Sequence, residues 1–92
     1  MTESLVGRFA TSKAGHDKAQ LYVIVAEEGD FVSLCDGRLK TMDKPKKKRK
    51  KHVQLICRTV QEELLQRLYE NGKVLDEEIK YEIKRVMEEM YV

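Results

Sequence analysis

Gln20-Leu21-Tyr22-Val23-Ile24-Val25-Ala26-Glu27, then Glu28-Gly29-Asp30 and Phe31-Val32-Ser33-Leu34-Cys35, decides the fold class of this 92-residue chain. The first stretch alternates. An extended backbone sends Leu21, Val23 and Val25 to one face and Tyr22 and Ile24 to the other. Glu28-Gly29-Asp30 is a turn, and Phe31–Cys35 is the next strand. Asp36-Gly37 is a hairpin signal, which predicts a further strand over Arg38–Met42. Working back, Leu5–Lys13 reads as the first strand, ending at Ala14-Gly15. Working forward, Val53–Ile56 reads as a fifth strand that closes a small barrel and removes its exposed edges.

Beyond that point the period changes to that of a helix. Thr59 with Glu62 three residues on matches a capping box, and Val60, Leu64, Leu65 and Leu68 form an apolar stripe behind it. Asn71-Gly72 ends this helix, with glycine at the cap. Asp76 is the expected N-cap of a second helix, followed by two acids that suit its N-terminus. Ile79, Ile83, Val86 and Met90 make a narrow seam on it. The seam packs on the first helix or the barrel, or it is a partner surface. The chain therefore reads as mainly β with α: a five-stranded barrel over residues 1–56 and a C-terminal two-helix hairpin over 57–92.

Between barrel and helices stands Lys44-Pro45-Lys46-Lys47-Lys48-Arg49-Lys50-Lys51-His52, which holds seven of the chain's 18 cationic side chains. Residues 1–52 carry 12 Lys/Arg against 7 Asp/Glu, and residues 53–92 carry 6 against 9, within an overall charge of +2. Like charges at this density repel, so the run gives nothing to a fold by itself. A polyanion would relieve it, and nucleic acid is the first to consider. Lysine reads phosphate as a point charge, whereas arginine forks suit base edges. The run, rich in lysine, therefore predicts backbone or shape recognition. About four to six phosphate contacts give a log–log salt slope of roughly −3 to −5. The run is expected to be a loop between the fourth and fifth strands, mobile without RNA. Lys13, His16 and Lys18 crowd the first turn, and Arg38 and Lys40 follow the Asp36-Gly37 signal, giving a second line of contacts. Pro-Lys-Lys-Lys-Arg-Lys also has the form of a nuclear localisation signal, but its place between two strands favours the binding role.

Other chemistries find little support. The sequence has no nucleophile elbow, no Gly-rich phosphate loop and no CxxC pair, and neither histidine lies near Cys35 or Cys57 in sequence. The expectation is a binding module, not an enzyme, with no cofactor and no metal. The two cysteines are expected as reduced thiols. The longest apolar run, Leu21 to Ala26, is far short of the roughly 20 residues that span a bilayer. No secretion signal is visible, so the reading is cytoplasmic and without a membrane partner.

Leu5-Val6-Gly7-Arg8-Phe9-Ala10-Thr11-Ser12-Lys13-Ala14-Gly15-His16-Asp17-Lys18, followed by Leu21–Val25, resembles a KOW motif, a strand–loop–strand unit of ribosomal proteins and transcription elongation factors. Gly15 matches the motif's fixed glycine; Ala19 stands where glycine is common. The continuation through Asp36-Gly37-Arg38 and the basic run is similar to small bacterial KOW-domain RNA-binding proteins, and to large-subunit ribosomal proteins of the L-fourteen-e group. The resemblance covers residues 4–56. It implies an SH3-like barrel that binds RNA, above all ribosomal RNA. The rival reading is a protein-interaction adaptor that uses the barrel and the Ile79–Met90 seam.

Overall fold

The alternation around Val23 sorts the chain onto two faces of a sheet. A computed structural model describes residues 4–13 and 20–90. It places β1 (Arg8–Ser12), β2 (Leu21–Glu28), β3 (Phe31–Cys35), β4 (Lys46–Arg49) and β5 (Val53–Thr59) in one antiparallel sheet, in the order β4-β3-β2-β1-β5. A single turn of 3-10 helix, Lys50–His52, links β4 to β5, and α1 (Glu62–Tyr69) and α2 (Asp76–Met90) follow. Leu21 and Val23 join Phe9 and Cys35 in a buried cluster with Val60, Leu64, Leu68, Ile79, Ile83 and Val86. Tyr22 and Ile24 face the other way, into a second cluster with Ala10, Val32, Leu34 and Val53. The helices thus share a core with one face of the sheet.

The short link bends the sheet. β4 and β5 are its two edges, yet only three residues separate them. Four strand spacings in a flat sheet are about 19 Å, while four residues of extended chain reach at most about 14 Å. The sheet must therefore curl, which lets the second cluster form on its inner side. Two β-bulges, at Arg8/Ala10 and at Ile24/Ala26, add local bend. The expected closed barrel is not formed, because β5 pairs with β1 and not with β4. β4 is only four residues long and follows Pro45, which has no N–H to give a ladder.

Two further expectations are corrected. Arg38–Met42 is not a strand. The Asp36 Oδ1 atom accepts the backbone N–H groups of Arg38 (2.8 Å) and Lys40 (2.9 Å), and Asp76 Oδ1 accepts that of Met42 (2.8 Å). Those donors are spent on a loop, so no ladder can use them. The partner of β3 is instead the basic run, with Phe31 opposite Arg49 and Leu34 opposite Lys46. The middle of that run, Lys46–Arg49, is a paired strand and not loop.

The helix caps also differ from expectation. Thr59 ends β5, and its place at the head of α1 is taken by Gln61, which makes no side-chain cap. The carboxylate of Glu82, buried in α2, accepts the Gln61 N–H at 2.9 Å instead. At the far end of α1, Asn71 takes the left-handed conformation (φ 56°), and Gly72 N–H donates to Arg67 O at 2.7 Å. Asp76 is the first residue of α2 rather than its cap, and Glu78 reaches back to the Leu75 N–H at 3.1 Å. Ile79, Ile83 and Val86 are buried against the sheet and α1, which removes them as a partner surface; Met90 alone of that seam is exposed.

Gly37 has φ +79°, and a Cβ there would lie 2.5 Å from the backbone oxygen of Asp76. Gly29 has φ +58° with open space around it. Gly29→Ala should cost only the left-handed penalty of about 1–2 kcal/mol. Gly37→Ala should cost at least about 2 kcal/mol more, because α2 must shift; urea unfolding of both variants checks the difference.

Neither cysteine is in a disulfide. Cys35 is fully buried, and burial pushes its thiol up to about 11, while Cys57 is exposed on β5. A thiol reagent should therefore titrate one equivalent in the native protein and the second only in denaturant.

Candidate nucleic-acid interface

Strand alternation divides the basic run. Cross-strand partners share a face, so Lys46 and Lys48 lie with Leu34 and Val32, while Lys47 and Arg49 lie with Ser33 and Phe31. On the inner side Lys48 Nζ donates to the Ser12 hydroxyl on β1, spanning the curl. On the other side Lys47 Nζ and Arg49 Cζ each stand 5.2 Å from the centre of the Phe31 ring, a cation–π pairing. Lys47 is also 3.6 Å from Glu28, an exposed pair of little energetic weight.

Lys50 is committed more firmly. It pairs with Glu27, whose Oε1 also accepts the Leu5 N–H at 2.9 Å. The hydrogen bond from Lys50, and then that from Leu5, holds the Glu27 carboxyl below its ordinary range. Lys50 N–H donates to Asp30 O at 2.8 Å, which pins the turn to the β2–β3 hairpin. Lys13 N–H donates to His52 O at 3.0 Å, so exposed Lys13, Lys51 and His52 form one corner at the end of β1. Gly15, His16 and Lys18 lie outside the described residues.

Arg38, Lys40 and Lys44 belong to the loop between β3 and β4. Arg38 opens onto a groove beside α2, lined also by Lys80, Tyr81 and Lys84. Among the described residues, no carboxylate lies within ion-pair distance of Lys44, Lys46, Arg49 or Lys51. The acids of the second half are mostly in use. Arg67 pairs with Glu78, Arg85 with Glu82 and Glu89, and Arg58 also with Glu89. The arrangement thus leaves uncompensated cations on and around the β4 edge, with Arg49 beside the Phe31 ring on one face and Lys46 on the other. Sequence reasoning missed Phe31, Glu27 and Glu28 as neighbours of the run. The signal for them was the alternation of positions 46–49, which is hidden when every second residue is also charged.

Hydrogen bonds from arginine hold the Glu78 and Glu89 carboxyls below the ordinary carboxylate range, and Lys50 does the same for Glu27. A carboxyl lowered in the folded state stabilises it above the unfolded value, near 4.5, and loses that contribution as pH falls through the lowered value. Thermal stability should therefore drop as pH falls below about 4.5. Glu78→Gln should lower stability at neutral pH and flatten the acid limb in a series of melting curves.

No protein-family model matches the chain, and no curated protein matches it.

Proposed function

We propose that the chain is an RNA-binding module, without catalysis, that grips structured RNA by its phosphate backbone along β4 and the following turn. The carrying observation is the set of four cations, Lys44, Lys46, Arg49 and Lys51, with no ion-pair partner among the described residues. Lysines and a preceding proline also guard a sheet edge against pairing with other chains. Edge protection accounts for one or two lysines on a four-residue strand; it does not account for Lys44 and Lys51 flanking it. Lysine dominance supports phosphate contact over base reading.

The strand order, the curl and the glycine-bearing β1–β2 segment support the KOW-type, SH3-like reading of residues 4–56. That reading makes ribosomal RNA the leading target, in the cytoplasm and on the ribosome. No helix among the described residues is long and apolar enough to cross a membrane. The adaptor reading loses its main surface, since Ile79, Ile83 and Val86 are spent in the core.

The test is binding of ribosomes and of a structured ribosomal RNA fragment across a salt series. Wild type should show a log–log slope of roughly −3 to −5. A variant with Lys44, Lys46, Arg49 and Lys51 changed to Gln should bind more weakly, with a slope shallower by about 3 units. Lys50→Gln, which breaks an internal ion pair, should cost stability and leave the slope nearly unchanged. Equal affinity and slope in the fourfold variant would overturn the proposal.

A further inference from the structure

At the opposite edge of the sheet lies a pocket of about 560 Å³ between β1, β5 and α1. Arg8, Arg58, Ser4, Thr59, Tyr69 and Cys57 are among its lining residues, and no described carboxylate lines it. Its chemistry differs from that of β4. The cations here are arginines, whose planar forks bind phosphate with two parallel hydrogen bonds. The Ser4 and Thr59 hydroxyls add donors. Tyr69, at the end of α1, is 53% exposed, so its ring is open to contact. Arg8 has no ion pair among the described residues, while Arg58 shares Glu89 with Arg85. A phosphate entering beside Arg8 thus meets one uncompensated guanidinium and one that can exchange partners.

The geometry points to a binding site for a single unpaired nucleotide, with its phosphate on Arg8 and Arg58 and its base stacked on Tyr69. Aromatic stacking and arginine contact are the means by which proteins take up unstacked bases. The inference rests on the RNA reading above and extends it. β4 holds the backbone of a structured region, and the β5–α1 pocket takes a base that has left the stack.

Cys57 makes the site measurable. It lies in the pocket lining and is exposed, whereas Cys35 is buried and its thiol is raised to about 11. Alkylation by iodoacetamide therefore reports on the pocket, and a silent Cys35 reports that the fold is intact. A uridine octanucleotide at ten times its Kd should slow Cys57 alkylation about tenfold. A blunt RNA duplex should bind without slowing it. Tyr69→Ala should weaken octanucleotide binding roughly 5- to 100-fold and leave duplex affinity unchanged. Arg8→Gln should act in the same direction.

The outcomes separate the two readings. If the octanucleotide binds with a β4-dependent salt slope but leaves Cys57 alkylation unchanged, the pocket inference is wrong and the β4 interface stands. If the duplex binds the fourfold β4 variant with unchanged affinity and salt slope while the octanucleotide still protects Cys57, the pocket stands and the interface falls. Equal protection by inorganic phosphate alone at the same concentration overturns the nucleotide assignment. So does an unchanged octanucleotide affinity in Tyr69→Ala.

Discussion

Three residues join the two edges of a five-stranded sheet, and that constraint shapes everything around it. A flat sheet could not accept so short a link. The curl it imposes gives the inner face something to pack against, so Tyr22, Ile24, Val32 and Leu34 are buried without a second layer. The outer face is covered by α1 and α2. The same turn carries Lys50 to Glu27 and His52 to the end of β1. One short segment thus bends the sheet and also gathers cations from distant parts of the sequence.

Charge is handled differently in the two halves. In the helical half, arginines and glutamates answer one another, and the Glu82 carboxylate, almost wholly buried, is met by both Arg85 and a backbone N–H. A buried charge is tolerated when its partners are hydrogen-bonded to it. In the sheet half, lysines outnumber local acids, and the strand they form is held by its backbone ladder and by Lys48 reaching Ser12. Pairing the backbone fixes where the cations stand without neutralising them. A floppy tail of equal charge would lose more conformational entropy on meeting an anion.

The legible parts of the sequence were those with a clean period. β2 and β3 alternate apolar residues, and the structure keeps that division in its two clusters. The helical stripe of α1 and the seam of α2 were legible for the same reason, and Ile79, Ile83 and Val86 pack on the sheet and α1 as one of the two readings of the seam expects. β4 was hidden, because lysine has low strand propensity and its pairing depends on a partner twelve or more residues away. Arg38–Met42 misled through Asp36-Gly37, a pair that also suits a wide loop in which the aspartate binds its own backbone. The pocket at β5 and α1 could not be read at all. Its arginines and tyrosine are distant in sequence and meet only through the β1–β5 pairing.

The cap that Glu82 supplies to α1 has a consequence for the order of folding. α1 is eight residues long, too short to be stable alone, and the carboxylate that meets its first turn lies 21 residues further on. The N-terminal cap of the helix is therefore complete only once α2 has formed and docked. As the chain leaves the ribosome, the strands can pair early, but the cap of α1 waits for Glu82. The helical layer closes in reverse, the later helix holding a place for the earlier one.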